Sequence, residues 1–447
     1  MRRDRELQPR SALRKGVPPR IVLGRVLRWA RAATVSASIV AGLSACAVGG
    51  LSGPRVPADQ VTGSLAQSGK ARAAADSDQV PASPHKRATA KVALLLPMSG
   101  AGQTAVVAKA MKQAGELALF DASSADVELI VKDDKGTPDG ARLAAEEAIR
   151  DGAELILGPL LSASVQAAAP VARAANVPVI AFSNDRQVAG SGVYLLSFMA
   201  EQDVDRIISF AASQGRRNFA ALLPDDAYGR ILEGAFSRAV TRAQVNVIAI
   251  ERYQGSGTGM LEPTRRLAAA MVRDGTQDGG ADALFLPGGP ETLASLGPLL
   301  AYAKLDTSRI KLLGTGGWDA PNIGRDQTFV GAWFPAPDQH GWQAFAEKFG
   351  KTFGTVPPRI ATLAFDAVGI AQTLAGSQQA KRYDAAGLTR ANGFTGADGQ
   401  VHLQPDGTPL RALAILEVQS FGATTIDTPA AATAAAAASP LATTQVN

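Results

Sequence analysis

The stretch from Ala153 to Asp185 constrains the fold more than any other part of the chain. It contains two short apolar runs, Leu155 to Leu157 and Val177 to Phe182, separated by a helical segment. Each run is too short for a helix and is bounded by turn formers, as expected for a strand buried on both faces of a parallel sheet. This strand–helix–strand unit predicts an α/β fold with right-handed crossovers.

Polar and small residues follow the predicted strands. Ser162 opens the helix after the first run and has a hydroxyl of the type that caps free N–H groups, while Ser183 and Asn184 follow the second run. Ser99-Gly100 follows an earlier strand and lets a ligand approach the backbone. Because parallel strands end at one edge of a sheet, these residues predict a cleft for a small polar ligand. The alternative is that the two serines only cap helices.

The alternation of strands and helices continues along the chain. Further strands are predicted at 91–96, 127–131, 193–198, 219–223, 245–250, 283–287 and 310–313, with helices between them. Two late helices, at 339–350 and 359–374, and a closing hairpin of 399–403 with 410–418 follow. The late helices bring no new parallel strands, so we expect them to complete the first of two similar lobes.

The net positive charge of the chain lies in residues 1–46. The whole chain has a formal net charge of +5, and residues 1–46 contain ten Arg or Lys against Asp4 and Glu6. Subtracting this +8 from +5 leaves −3 for the remaining residues. With only five Tyr and four Trp there is also little aromatic surface for stacking bases. We therefore expect no nucleic-acid partner.

Residues 1–46 have the pattern of a secretory signal peptide. A basic segment precedes a short apolar stretch, Ala32 to Ala45, which is too short to span a bilayer. The stretch ends in Leu-Ser-Ala-Cys, which resembles a bacterial lipobox with Cys46 as the lipidated residue. This predicts a periplasmic protein anchored to a bacterial membrane by lipid, and the alternative is an incidental or buried cysteine. Residues 47–89 and 426–447 lack runs of large apolar residues and are expected to be a disordered tether and an Ala-rich tail.

Several stretches together resemble a known family. They are LLLPMSG, ILGPLLSASVQAAAP, IAFSND, the loop from Asp225 to Gly229, and FTGADGQVHLQPDG. In this order the chain resembles the type I periplasmic binding proteins of the leucine/isoleucine/valine type, from Lys91 to Val418. The resemblance implies two doubly wound parallel-sheet lobes joined by three crossings, near Phe198, Gly331 and Lys381. Lobe 1 would comprise 90–198 plus 332–380, and lobe 2 would comprise 199–331 plus 381–425.

Within this superfamily, VPVIAFSND followed by GVYLLSF is most similar to the lipoprotein activators of penicillin-binding proteins. The resemblance implies a non-catalytic protein that acts on cell-envelope synthesis through a cell-wall synthase. The alternative is the substrate-binding component of an amino-acid ABC transporter, with an ABC permease as its partner.

The resemblance also suggests ligand-binding residues. In amino-acid receptors of this family, hydroxyls and N–H groups after the third and fourth strands hold the ligand carboxylate, and an acid in the second lobe holds the ammonium. The first set falls on Ser162, Ala163, Ser183 and Asn184, and a second-lobe tyrosine falls on Tyr228. The family acid falls on a glycine here, Gly316. An amino-acid ligand would then need Asp319, or alternatively Asp225 or Asp226.

Catalytic and metal-binding signals are weak. The three histidines, His85, His340 and His402, are far apart, and Cys46 is the only cysteine, so no metal or other cofactor is expected. The chain has no nucleophile elbow, phosphate-binding loop or zinc-protease motif. The acid pairs Asp133-Asp134 and Asp225-Asp226 are expected to cap helices at strand ends rather than to catalyse. Trp318 is either a cleft wall or a core residue.

Overall fold

The computed structural model describes residues 89–121, 127–255, 257–272, 280–337, 339–376 and 381–428. The predicted signal peptide with Cys46, the tether up to residue 88 and the tail from residue 429 lie outside these ranges. Ile426 and Asp427, which the sequence analysis places in the tail, are part of the last strand. The last strand therefore runs past the predicted end of the second lobe at residue 425.

The first sheet has five parallel strands in the spatial order β2-β1-β3-β4-β5. The strands are β1 (Ala90–Leu96), β2 (Val127–Asp133), β3 (Leu155–Leu157), β4 (Val179–Ala181) and β5 (Val193–Leu195). Helices α1 (Gln103–Asp121), α2 (Pro138–Arg150) and α3 (Ser162–Ala174) connect the first four strands.

Both faces of this sheet are covered, which explains its continuous apolar runs. In β1, Leu94 and Leu96 share a buried cluster with α1, whereas Ala93 and Leu95 share another with α2 and α3. All four side chains are fully buried. A strand in this position has no solvent face, so its sequence does not alternate between apolar and polar residues.

The second half of the chain builds a second sheet on the same plan. Its first strands are β6 (Asn218–Pro224), β7 (Asn246–Tyr253), β8 (Ala283–Phe285), β9 (Lys311–Leu313) and β10 (Trp333–Ala336). Its helices are α4 (Ala200–Ser213), α5 (Ala227–Ala243), α6 (Thr258–Ala270) and α7 (Pro290–Tyr302). Residues of α4 and α5 cover one face of the sheet, and residues of α6 and α7 cover the other. The predicted α/β class with two doubly wound lobes is confirmed.

The last part of the chain contributes helices and strands to both lobes. Helices α8 (Gln339–Phe353) and α9 (Ala361–Ala375) pack into the core on the α1 side of the first sheet. After α10 (Ala385–Leu388) come three short antiparallel strands, β11 (Phe394–Gly396), β12 (Gly399–Leu403) and β13 (Pro409–Arg411). The chain then returns to the second sheet with β14 (Ala414–Val418) and β15 (Ala423–Asp427), which gives the order β15-β14-β10-β9-β8-β6-β7.

Two of the three crossings lie later than the sequence analysis places them. The prediction near Gly331 assigns β10 to the first lobe, but β10 pairs with β9 and β14 in the second sheet. The prediction near Lys381 assigns the following residues to the second lobe, but Leu388 and Val401 are buried in the core of the first. The chain therefore crosses after β5, after β10 and between β13 and β14.

The predicted strand 410–418 is two strands in two different sheets. Its beginning is in β13, which pairs with β12, and its end is β14, which pairs with β10. Ala412 and Leu413 form the link between them. The apolar pattern continues across the link because both lobes bury their strands, so the sequence pattern does not mark the change of partner.

Gly158, which follows β3, offers a test of how the carboxyl edge of the first sheet is packed. Its φ is +86°, and a Cβ atom there would lie 2.2 Å from the carbonyl oxygen of Leu95. Gly158→Ala should lower the free energy of unfolding by about 2–5 kcal/mol, since it adds a backbone clash to the strain of a left-handed residue. Urea unfolding followed by circular dichroism measures this loss.

Gly192→Ala is the matched control. Its φ is +88° but a Cβ there would have no atom within 4 Å, so only the left-handed strain of about 1–2 kcal/mol applies. Equal losses in the two variants would show that the contact with Leu95 is not the cause.

Candidate functional site

A cavity of about 270 Å³ lies where the chain crosses between the lobes. All three crossings contribute to it: Phe198 and Met199 come from the first, Pro337 from the second, and Arg411 and Leu413 from the third. The other lining residues are Asn184, Ala200, Gln202, Asp203, Tyr228, Gly316, Gly317, Asp319 and Arg359. The volume is close to the lower end of the usual range for ligand pockets, about 300–1,000 Å³, so the cavity suits a small molecule.

Two larger cavities, of about 540 Å³ each, have at most one lining residue in common with the junction cavity. One is in the second lobe beside Tyr253, Gly288 and Thr292, and shares Tyr228 with the junction cavity. The other lies at the amino ends of β3, β4 and β5. Of these three cavities, the junction cavity is lined by both lobes and by every crossing, so it is the candidate site.

Three of the predicted ligand residues, Asn184, Tyr228 and Asp319, line the junction cavity. The other five, namely Ser99, Gly100, Ser162, Ala163 and Ser183, are outside its lining although they follow strands of the first sheet.

The predicted capping role of Ser162 is wrong. Leu161 is the N-cap residue of α3, and no side chain makes the capping hydrogen bond. Ser162 is instead the first residue inside the helix. Ser183 is buried, and its Oγ accepts a hydrogen bond from the N–H of Asp185 at 3.1 Å, so this hydroxyl stabilises the turn after β4.

The acid pairs satisfy backbone N–H groups. Asp133 Oδ1 accepts from the N–H of Ser99 at 3.2 Å, and Asp134 Oδ1 accepts from the N–H of Gly136 at 2.8 Å. In the second lobe, Asp226 caps α5 through the N–H of Gly229 at 2.8 Å. Asp226 thus caps a helix as predicted, whereas α2 is capped by Thr137 rather than by Asp133 or Asp134.

Asp319 connects the two lobes. Its Oδ2 lies 3.1 Å from Nη1 of Arg359, which precedes α9 of the first lobe, and also accepts from Nε2 of Gln339 at 3.1 Å. Asp319 itself follows β9 of the second lobe. The carboxylate that the sequence analysis offers to a ligand ammonium is thus already paired with a guanidinium.

Asp203 is an acid of the cavity that the sequence analysis missed. It lies in the first turn of α4, and its Oδ2 accepts from the N–H of Gly316 at 2.8 Å. Burial raises the pKa of Asp203 to about 7, although the Gly316 hydrogen bond opposes the shift. Burial, together with the nearby Asp203 charge, also raises the pKa of Tyr228. In the sequence Asp203 looks like an ordinary helix-start residue, so only the packing of α4 against the Gly-rich loop after β9 (residues 314–317) identifies it.

Two arginines of the cavity belong to a buried charge cluster with Asp366 and Asp398. Arg359 Nη2 lies 2.9 Å from Asp398 Oδ1, and Arg411 Nη1 lies 4.0 Å from Asp366 Oδ2. Burial, and next the charge of Asp398, raise the pKa of Asp366 to about 7, while Arg411 opposes this shift. No sequence pattern signals the cluster, since its members come from a Pro-rich loop, a helix and two parts of the small sheet.

Trp318 is a core residue rather than a cleft wall. It is fully buried, and its Nε1 donates to the carbonyl oxygen of Leu286 at 3.0 Å. The ring also packs edge-on against Phe329. Its role is to hold the Gly-rich loop after β9 against the second lobe.

Known proteins are similar to this chain in sequence and in fold. A sequence model of the family described as periplasmic binding protein matches residues 89–423. An uncharacterised protein of Rickettsia prowazekii is 22% identical over 228 residues, which are 51% of this chain and 61% of the relative. The chain thus spans about three fifths of the length of that curated relative.

Solved structures share the fold. A solute-binding protein of an ABC transporter from Rhodopseudomonas palustris, in complex with 3,4-dihydroxybenzoic acid, gives a TM-score of 0.55 at 22% identity, over 76% of this chain and 96% of that one. A branched-chain amino acid ABC transporter periplasmic ligand-binding protein from Burkholderia xenovorans gives a TM-score of 0.61 at 17% identity, over 77% and 96% of the two chains. At these identities the likeness establishes the fold.

The two sheets, the three crossings and the cavity between them define a two-lobed binding protein. The chain belongs to the periplasmic binding protein family, and its fold is of the type I class. Members of this family are binding proteins rather than enzymes, and membership implies an extracytoplasmic location.

No helix among the described residues has the length and apolar character needed to cross a membrane. Within the same part of the chain, no three His, Cys, Asp or Glu side chains are grouped so that they could hold a metal ion.

The raised pKa of Asp203 predicts a pH dependence of stability. The folded state binds the Asp203 proton more tightly than the unfolded chain, whose Asp has a pKa near 3.8. This stabilisation is complete below the unfolded pKa and is lost as the pH rises through about 7. Between pH 5 and pH 8, the free energy of unfolding should therefore fall less in Asp203→Asn than in the wild type.

Urea unfolding at each pH measures both curves. Asp134 and Asp366 also have raised pKa values, but they are present in both proteins, so the difference between the curves isolates Asp203. Parallel curves would contradict the assignment.

Proposed function

We propose that this protein is an extracytoplasmic solute receptor that binds a small polar ligand in the junction cavity. The observation that carries the proposal is that both lobes and all three crossings line this cavity. A ligand held there would contact the two lobes at once and favour the state in which they are closed. Asn184, Tyr228 and Asp203 are the polar residues that we propose as ligand contacts.

The structural relatives support a role in uptake. The relative from Rhodopseudomonas palustris has an aromatic acid bound, and the one from Burkholderia xenovorans is a ligand-binding protein of an ABC transporter. By analogy, we propose an ABC permease as the partner of this chain. Ligand contact by Ser99, Gly100, Ser162, Ala163 and Ser183 stays a prediction.

A second candidate is an activator of a cell-wall synthase. It is favoured by the likeness of VPVIAFSND and GVYLLSF to the penicillin-binding protein activators and by the lipobox at Cys46. Asp319, the carboxylate predicted to hold an amino-acid ammonium, is already paired with Arg359. This pairing also fits a protein that acts through a protein partner.

Thermal unfolding of the full chain with a panel of compounds tests the receptor. The panel contains free amino acids, hydroxybenzoates and muropeptides, each at 1 mM. A compound present at 100 times its Kd stabilises the folded state by about 2.7 kcal/mol and raises Tm. Tyr228→Ala should lose this rise because Tyr228 lines the cavity, whereas Tyr302→Ala, on an exposed part of α7, should keep it.

The same panel separates the two candidates. A rise in Tm with a free amino acid or hydroxybenzoate supports uptake. If no small compound changes Tm but the extracytoplasmic domain of a penicillin-binding protein binds the chain in a sedimentation experiment, the receptor proposal fails and the activator is supported.

We further propose that Cys46, which lies outside the described residues, carries the lipid anchor. Cys46→Ser should move the protein from the membrane fraction to the soluble periplasmic fraction and abolish incorporation of labelled palmitate, since no other cysteine is present. Ser44→Ala keeps the thiol and should remain in the membrane fraction. Retention of Cys46→Ser in the membrane would rule out this anchor.

A further inference from the structure

The cavity of about 540 Å³ at the amino ends of β3, β4 and β5, called the amino-edge cavity below, has no role in the proposed receptor function. It is lined by residues 153–154, 177–179 and 191–194 at the strand ends, by the end of α3, and by residues 381–385. It shares no lining residue with the junction cavity among the described residues. Any molecule bound there would contact the first lobe alone.

Arg382 provides this cavity with hydrogen-bond donors that have no partner. Its side chain is only 10% exposed, and its charged neighbour within the described residues is Glu154, whose Oε2 lies 3.5 Å from Nε. This distance is long for a hydrogen bond, and the guanidinium makes none with any described residue. Its Nη atoms are not among the fully enclosed polar atoms of the described residues. A molecule in the cavity can therefore reach them.

Tyr194 adds a second donor without a partner. The residue is 7% exposed, and its ring packs in the core between the first sheet and helices α1 and α9. Its hydroxyl makes no hydrogen bond with a described residue and is not fully enclosed either. Burial, and next the charge of Asp384, raise the pKa of Tyr194. The hydroxyl therefore keeps its proton near neutral pH and can donate it to an acceptor in the cavity.

The charges around the cavity favour an anion. Three cations line it against two acids, namely Arg173, Lys381 and Arg382 against Glu154 and Asp384. Asp384 already caps α10 through one carboxylate oxygen, and Glu154 is 42% exposed, so water screens its attraction for Arg382. Arg173 is in the last turn of α3 and offsets the partial negative charge of that helix end.

The shapes of these groups indicate the kind of anion. The planar guanidinium fork matches a carboxylate, which accepts two parallel hydrogen bonds, and the Tyr194 hydroxyl offers a third. Val177, Pro178 and Val179 provide an apolar wall. The volume of about 540 Å³ is within the usual range for ligand pockets. These features together fit a carboxylate attached to an apolar body.

We propose that the amino-edge cavity is a second ligand site, which binds the carboxylate of a small molecule with an apolar body through Arg382 and Tyr194. The site lies within the first lobe and on the opposite edge of the sheet from the loops that follow the strands. It can therefore be occupied whether or not the junction cavity is.

NMR titration of valine methyl groups in the full chain tests the proposal, with 3-phenylpropionate and 3-phenylpropionamide as probes. Val177, Val179 and Val193 line the cavity and report binding there. The acid should shift their signals with a Kd of about 1 mM, as expected for a ligand of this size. The amide should bind about 5- to 10-fold more weakly, because it lacks the charge that strengthens the hydrogen bonds.

Three variants change the site in different directions. Arg382→Gln should remove the preference for the acid over the amide. Tyr194→Phe keeps the ring in the core and should weaken acid binding about 10-fold through loss of one hydrogen bond to a charged group. Glu154→Gln removes the competing carboxylate and should tighten acid binding about 2- to 5-fold, the range expected for an exposed ion pair. A purely structural role of Arg382 would not give this gain.

Arg252→Gln is the matched control. Arg252 also pairs with a glutamate, since its Nε donates to Glu233 Oε2 at 2.8 Å, but it lines none of the three cavities. Its titration should equal that of the wild type. Tyr228→Ala, which alters the junction cavity, should also leave the three valine shifts unchanged.

Two sets of results would overturn this inference. The first is no shift of the three valines with the acid at about 20 mM, or equal affinity for the acid and the amide. The second is loss of the shifts in Tyr228→Ala with retention in Arg382→Gln, which would place the acid in the junction cavity and leave the receptor proposal standing. If Arg382→Gln fails to fold by circular dichroism, Tyr194→Phe and Glu154→Gln decide the matter, and unchanged acid affinity in both would overturn the site.

Discussion

Coverage of each sheet by helices on both faces is the constraint from which the other features follow. Strands such as Leu155–Leu157 and Val179–Ala181 are wholly buried, and their backbone groups pair within the sheet. Free N–H groups and polar side chains are then found only where strands end. Since the second lobe follows the same plan, polar loops of both lobes gather at the crossings. The junction cavity forms there, because the crossings bring loops of both lobes together.

The buried charge cluster at the crossings positions the two lobes more than it stabilises the fold. Burying Arg359, Arg411, Asp366 and Asp398 costs desolvation energy that their mutual attraction offsets only with good geometry. Apolar residues of the same size would make the folded state at least as stable. What apolar residues would not supply is the directed contact between Asp319 of the second lobe and Arg359 of the first, at 3.1 Å. That contact joins the two lobes directly at the wall of the junction cavity.

The strands could be read from the sequence because a strand buried on both faces is a short, continuous apolar run. β1 and β3 are in the predicted positions for this reason. The apolar pattern does not show which strands pair with each other. The sequence therefore predicts one strand at 410–418, whereas this segment enters two sheets. The polar residues of the site are harder to predict from the sequence than the strands. Asp203 and Arg411 are ordinary residues of a helix and a strand, and long-range packing alone brings them to the cavity.

The link between β13 and β14 is only two residues long, Ala412 and Leu413, and this has a mechanical consequence. When two rigid bodies rotate about a short connection, atoms beside the axis travel least and atoms at the rim travel furthest. Arg411 and Leu413, which line the junction cavity, lie at this connection. Their side of the cavity would therefore keep its place if the lobes rotated, and the change of shape would fall on the side further from the link.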